Sequence, residues 1–149
     1  MESLEKEVLE RIIHSSGDFT IQDYLSFSKD ACSIGLSALK NGAPILTDTF
    51  MAAAAVIPMA SRTLKSKVHC VLDWAPSNDG SSSTRTALGL ERAWNDISKH
   101  LFDHNAPLVL FGSAPKALEA LLDTVSAGAC APSLIIGMPV GFVGVSESK

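Results

Sequence analysis

Histidine is the side chain of this sequence best suited to moving a proton near neutral pH, because its charge changes between about pH 5 and 8. His14 follows the apolar pair Ile12-Ile13 and precedes the polar run Ser15-Ser16-Gly17-Asp18. Such a run predicts a turn that exposes the ring. His14 is therefore a candidate for general acid–base chemistry, with a solvated histidine at a helix end as the alternative.

The other histidines carry weaker signals. His100 and His104 are four residues apart but lack the HExxH pattern, and they fall at the end of a predicted helix. We predict that they are solvated or interact with the helix dipole, and we predict no metal site. His69 alternates with apolar residues in a predicted strand and faces either the core or a pocket.

Two segments have the residue types of an anion site. Gly112-Ser113 joins a predicted strand to a predicted helix, where backbone amides and the helix N-terminus could meet a phosphate or carboxylate. Thr84-Arg85 starts another predicted helix, where a hydroxyl, free amides and a guanidinium could bind a carboxylate. The alternatives are a structural tight turn for the first segment and an N-cap beside a solvated arginine for the second.

A third segment, Gly137 to Gly144, is apolar and rich in glycine directly after a predicted strand. Bare backbone at Gly141 beside the Phe142 ring could approach a flat ligand. A strand end with a bulge is the alternative. We favour a pocket because the run continues into the polar residues 146–149.

These segments require a scaffold that brings them to one place. Helical spacing predicts helices between Ser3 and Gly17, from Ser28 to Asn41-Gly42, and over about 87–101 and 115–127. Apolar runs without alternation predict short buried strands over 44–47, 68–72, 108–111 and 134–136.

The order of these elements predicts an α/β fold. Residues 1–149 are expected to form a single domain of three layers, with a mostly parallel β-sheet flanked by helices. Ligands of such folds lie beyond the carboxyl ends of the strands. Those ends carry Asp48, Asp73, Gly112-Ser113 and Gly137.

Composition excludes several classes of function. The net charge is −4 and no run of Lys or Arg exists, so a nucleic-acid partner has little electrostatic support. The apolar stretch Met51 to Ala60 is too short for a membrane span and contains Pro58. The acidic N-terminus is unlike a secretory signal, which favours the cytoplasm. The 3 cysteines have no CxxC spacing, and we expect buried free thiols.

Taken together, the segments resemble the precorrin-8X methylmutase family in order and spacing. The resemblance rests on Arg11 to Asp18, Gly42 to Asp48, Ser83 to Ala87, Gly112 to Leu118, and Gly137 to Gly144 running to Glu147-Ser148-Lys149. Each motif alone is only moderately specific, whereas the ordered set covers nearly the whole chain and is highly specific.

The resemblance implies a cofactor-free, metal-free isomerase that moves a methyl group from C-11 to C-12 of precorrin-8X or cobalt-precorrin-8. It implies that His14 is catalytic, protonating or hydrogen-bonding the ring-C nitrogen. Thr84, Arg85, Gly112 and Ser113 would bind the carboxylates of the corrinoid substrate, and the segment with Gly141 and Phe142 would face its ring. Members of the family are homodimers, so a homodimer is expected here.

Three departures from the family pattern are visible. Family members usually have more residues before the first helix. They also have a closing Gly-Gly-Ser-type segment beyond the position of Lys149. Phe50 stands where many relatives have an acidic residue. Because the segments that would cover the last β-unit are missing, an exposed sheet edge or apolar face is expected there. Two alternative functions remain: a non-catalytic tetrapyrrole-binding fragment of the same family, and a nucleotide-binding α/β enzyme that uses Gly112-Ser113.

Overall fold

A computed structural model describes residues 3–77, 82–99 and 106–138. Within these ranges the helices are α1 (Ser3–Ser16), α2 (Ala31–Lys40), α3 (Phe50–Arg62), α4 (Arg85–Ser98) and α5 (Pro115–Ser126). The strands are β1 (Ile45–Thr47), β2 (Val68–Cys70), β3 (Leu108–Phe111) and β4 (Leu134–Gly137). Two short 3₁₀ turns, Phe19–Asp23 and Val71–Trp74, follow α1 and β2.

The four described strands all run parallel, in the spatial order β2-β1-β3-β4. The chain leaves β1 towards β2 on one side and then crosses back to β3 on the other. The loops that follow β1 and β3 therefore diverge between these two strands, and open α/β sheets bind ligands at such a point. The predicted α/β class with a parallel sheet is confirmed.

Helices cover both faces of this sheet. Leu46 of β1 and Val109 and Phe111 of β3 pack against α4 and α5 in one apolar core. On the other face α2 lies so close to β4 that a Cβ on Gly35 would be 2.6 Å from Leu134 Cδ2. The chain crosses the sheet in one direction from β1 to β2 and in the opposite direction from β2 to β3. Because both crossovers are right-handed, their helices α3 and α4 lie on opposite faces, so α3 shares a face with α2. The predicted three-layer arrangement is confirmed.

The core between the sheet and α4–α5 is built around the fully buried indole of Trp94. Its Nε1–H donates to the carbonyl oxygen of Cys130 at 3.1 Å, so the polar atom of this large side chain is satisfied. Nearby, the Ser133 hydroxyl donates to the Ala106 carbonyl oxygen at 2.6 Å. These bonds tie the segments that precede β3 and β4 to the same core.

Helix α3 is absent from the predicted elements, because Pro58 interrupts its apolar run and prolines rarely occupy helix interiors. Two features allow the helix nonetheless. The Thr49 hydroxyl caps it by accepting from the Ala52 amide at 3.2 Å, and four consecutive alanines, 52–55, are the best helix formers. The strand–helix pattern is therefore complete between β1 and β2.

Some predicted boundaries and burial states are wrong. The strand predicted over 68–72 ends at Cys70, because the chain turns into the 3₁₀ segment Val71–Trp74. The second helix begins at Ala31, after Asp30 in a left-handed conformation, rather than at Ser28. Strand β4 is only partly buried, with Ile136 37% exposed, because it lies at the edge of the described sheet and has one strand neighbour.

Candidate active site

The crevice between the carboxyl ends of β1 and β3 is closed by the side chain of Asp48. Its Oδ2 accepts hydrogen bonds from the backbone amides of Gly112, Ser113 and Ala114 at 3.0, 2.8 and 2.9 Å. The Asp48 amide in turn donates to the Leu110 carbonyl oxygen at 3.1 Å, continuing the β1–β3 pairing. The predicted anion-binding turn therefore holds a carboxylate of the protein itself.

Asp48 is fully buried, at 0% exposure. A buried carboxylate is costly unless its oxygens are hydrogen-bonded, and three amides together with the N-terminus of α5 supply the compensation for Oδ2. Oδ1 has no hydrogen-bond partner within the described ranges. A Cβ on Gly112 would lie at the ordinary contact distance of 3.8 Å from Oδ1.

Thr84 and Arg85 lie at the N-terminus of α4, the helix that follows the carboxyl end of β2. The Thr84 hydroxyl caps α4 by accepting from the Ala87 amide at 3.3 Å, and it lies 3.1 Å from the Thr86 hydroxyl. Arg85 is exposed and forms no salt bridge with any residue that the structure describes. The Thr84 hydroxyl therefore serves the helix, while the Arg85 guanidinium remains available to a ligand.

His14 lies in the last turn of α1, and its side chain is exposed as predicted. A shallow, open depression of about 390 Å³ on the same helix is lined by Arg11, Ile12, Ser15 and Ser16, and His14 is not among its lining residues. The hydroxyls of Ser15 and Ser16 donate to the carbonyl oxygens one turn earlier, at 2.9 and 2.8 Å. These bonds hold the end of α1, where Gly17 adopts a left-handed φ of 68° and stops the helix.

Asp18 fixes the turn that follows His14. Its Oδ1 accepts from the Thr20 hydroxyl at 2.7 Å and from the Thr20 amide at 2.8 Å. The hydrogen bond from the Thr20 hydroxyl, followed by that from the amide, lowers the pKa of the Asp18 carboxyl. Within the described residues no hydrogen bond or ion pair joins the His14 side chain to Asp48, Ser113 or Arg85.

The remaining candidates are divided between described and undescribed residues. Gly141, Phe142, His100 and His104 lie outside the described residues. His69 is half-buried and meets the Trp74 ring edge-on, with 6.0 Å between centroids. It lines a cavity of about 460 Å³ at the amino ends of β1 and β2, away from Asp48.

The described residues include neither a metal-binding cluster nor a membrane-spanning helix. No group of three or more His, Cys, Asp or Glu side chains could hold a metal ion there. None of the described helices has the length and apolar character needed to cross a membrane.

The family model described as precorrin-8X methylmutase matches residues 1–149. This chain belongs to the precorrin-8X methylmutase family. The family takes its name from an intramolecular transferase, which is an isomerase.

Individual members of the family support the assignment. The precorrin-8X methylmutase of Pseudomonas aeruginosa is 40% identical over 143 residues, covering 93% of this chain and 64% of that protein. The cobalt-precorrin-8 methylmutase of Synechocystis is 29% identical over 163 residues, covering 100% of this chain and 71% of that protein. The chain thus spans roughly two thirds of the length of these relatives.

A solved structure confirms the fold. The crystal structure of the precorrin-8X methylmutase from Thermus thermophilus matches with a TM-score of 0.81 and 35% identity, covering 99% of this chain and 69% of the other. A protein described as precorrin-8X methylmutase related matches with a TM-score of 0.78 at 26% identity. The sheet and its helices are therefore those of the methylmutase fold.

The contact that closes the crevice was not foreseen from the sequence. Asp48 was placed at a strand end and within a family-like motif, but no partner was assigned to it. The available signal was an acidic residue directly after one apolar strand and a glycine turn directly after another. Only the strand order, which makes β1 and β3 neighbours, shows that the two meet.

Proposed function

We propose that this chain acts as a precorrin-8X or cobalt-precorrin-8 methylmutase, moving a methyl group from C-11 to C-12 of the corrinoid to give hydrogenobyrinate or its cobalt counterpart. The observation that carries the proposal is the 35% identical methylmutase structure that matches 99% of the chain. The names of the curated relatives agree with it. We propose a reaction without a cofactor, as the resemblance to the family implies.

His14 is the proposed proton-handling residue. A methyl shift over a conjugated ring needs no nucleophile, but it depends on where the ring system carries its proton. An exposed imidazole could protonate or hydrogen-bond the ring-C nitrogen. The exposure of His14 at the end of α1 leaves its ring accessible to a ligand.

The carboxylates of the substrate would be bound mainly by Arg85. Its guanidinium is exposed, lies at a helix N-terminus, and has no salt-bridge partner in the described part of the chain. Thr84 would contribute through backbone near the ligand. Gly112 and Ser113 would contact parts of the substrate that carry no charge, because Asp48 already occupies their amides. We retain Gly141 and Phe142 as proposed contacts to the face of the ring.

Purified protein should be incubated with precorrin-8X while the absorbance spectrum is followed. We expect His14→Ala to lower kcat by about 10²-fold or more, the usual contribution of a positioned acid or base. Arg85→Gln should instead raise KM by about tenfold with a smaller change in kcat. Lys6→Ala is the matched control, because it removes an exposed cation from the same helix as His14.

Normal turnover by His14→Ala would refute the role of His14 and leave the family assignment standing. A spectral shift on binding without any product, seen for the unaltered chain, would instead support a non-catalytic tetrapyrrole-binding protein. Loss of activity in Lys6→Ala as well would point to damage to α1 rather than to lost chemistry.

We further propose that the chain forms one domain and assembles as a homodimer in the cytoplasm, without a nucleic-acid partner. Apolar side chains exposed on α3 support the dimer, among them Met51 at 75% and Met59 at 56%. The shared core of β1, β3, α4 and α5 supports the single domain.

A further inference from the structure

The N-terminus of α5 has the features of an anion site, and its anion is part of the chain. In open α/β sheets this is the position where a ligand phosphate or carboxylate meets backbone amides. Here Asp48 Oδ2 takes all three amides, at 2.8–3.0 Å. We propose that Asp48 is a specificity-determining residue that keeps anionic groups of ligands away from residues 112–114.

The stability of the arrangement follows from its electrostatics. Bonds from amides to an ionised carboxylate are about twice as strong as neutral ones, and the α5 dipole adds to them. Lys116, the lysine nearest in sequence to these three amides, forms an ion pair with Glu119 at 2.7 Å. The three amide hydrogen bonds and the α5 dipole stabilise the Asp48 carboxylate in its buried position.

Exclusion follows from the same contacts. A second anion at these amides would have to displace Asp48 or lie within hydrogen-bond distance of its charge, and both are unfavourable in a buried site. The only lone pairs of the carboxylate that lack a partner in the described structure belong to Oδ1. Residues 112–114 therefore disfavour the phosphate and carboxylate groups of a ligand.

The first test uses the unaltered protein labelled with ¹⁵N. Its amide spectrum should be followed during titration with inorganic phosphate and then with acetate at constant ionic strength. We expect the resonances of Gly112, Ser113 and Ala114 to stay in place at concentrations in the tens of millimolar. A saturable shift of these three resonances would overturn the proposal.

The second test removes the Asp48 carboxylate from the amides of residues 112–114. Asp48→Ala removes the carboxylate and leaves a space the size of formate. Formate should therefore bind this variant and raise its Tm saturably, by at least about 3 °C more than it raises the Tm of the unaltered protein. Acetate should act less, because its methyl group must also fit. Asp48→Asn keeps an acceptor oxygen and should not respond, and neither should the exposed control Asp73→Ala.

A folded Asp48→Ala protein that ignores formate would overturn the proposal, as would an equal response in Asp73→Ala. If Asp48→Ala folds only in the presence of formate, the proposal is supported directly. The titration of the unaltered protein decides the matter independently of how the variant folds. Neither test uses a corrinoid, so their outcome is separate from that of the proposed methyl transfer.

Discussion

At the scale of single residues, similar chemical types serve different purposes here. Thr84 lies in one segment suited to anion binding and Asp48 occupies the other, and the side chain of each accepts hydrogen bonds from the backbone of the chain itself. Arg85 and His14 are exposed and have no side-chain partner among the residues described. Availability rather than residue type therefore separates candidates for ligand contact from residues that hold the fold.

The three free cysteines differ in their exposure to solvent. Cys70 is buried, Cys32 is half-buried and Cys130 is exposed, which corrects the expectation that all three thiols are buried. Burial raises the pKa of the Cys70 thiol, with smaller opposing effects from hydrogen bonds to Leu72 and Thr47. A neutral, enclosed thiol is a poor nucleophile, because the thiolate is the reactive form.

We therefore expect an aromatic disulfide reagent to modify Cys130 first and Cys70 only on unfolding. Absorbance of the released thiolate, with Cys130→Ala as control, measures the order.

The raised pKa also means that the folded state holds the Cys70 proton more tightly than the unfolded chain. The free energy of unfolding should thus fall as pH rises above the ordinary thiol pKa, and Cys70→Ala should reduce that fall.

Rapid modification of Cys70 in the folded protein would contradict its enclosed position. An unchanged pH dependence in a folded Cys70→Ala protein would show that this thiol does not contribute to it.

At the scale of elements, α4 approaches the backbone of the 3₁₀ turn that follows β2 closely at Gly89. A Cβ on Gly89 would collide with the carbonyl oxygen of Val71, which is backbone and cannot move aside. Gly35 in α2 offers a contrast, because its nearest obstacle is the end of the flexible Leu134 side chain at 2.6 Å. Both glycines are helical, so alanine brings each the same gain in helix propensity.

Gly89→Ala should therefore lower the free energy of unfolding by more than about 2 kcal/mol, whereas Gly35→Ala should cost about 1 kcal/mol or less. Urea unfolding followed by circular dichroism measures both values. Equal costs for the two variants would show that α4 can shift away from the turn.

At the scale of the whole molecule, one helix has no polar outer face. From Phe50 to Ser61 α3 has no charged residue, and Phe50, Met51, Ile57 and Met59 are 44–75% exposed. A helix that is apolar all round is normally covered. The exposed apolar face supports α3 as the contact in the proposed homodimer.

Sedimentation velocity of the unaltered protein should give the mass of a dimer, and Met51→Glu should shift it towards the monomer at micromolar concentration. Leu122→Glu is the matched control, since it places the same charge at an exposed leucine on α5. A dimer that survives Met51→Glu would exclude this face, and a monomeric unaltered protein would refute the dimer.

Much of the architecture could be predicted from sequence, because local patterns determine it. Apolar runs and helical spacing located the four strands and four of the helices, and the ordered motifs led to the family. Helix α3 was missed since a proline in an alanine-rich run has no reliable local meaning. The partial exposure of β4 could not be predicted, because burial depends on the neighbours of a strand and not on its own residues.

The sequence by itself determined the α/β class, the family and the exposure of His14, because each depends on patterns within a few residues of the chain. Only the tertiary structure decided that β1 and β3 are neighbours. That pairing brings Asp48 to amides 64 to 66 residues away, so the predicted anion site is filled from within. Contacts at such separation depend on strand order, which hydrophobic patterning does not specify.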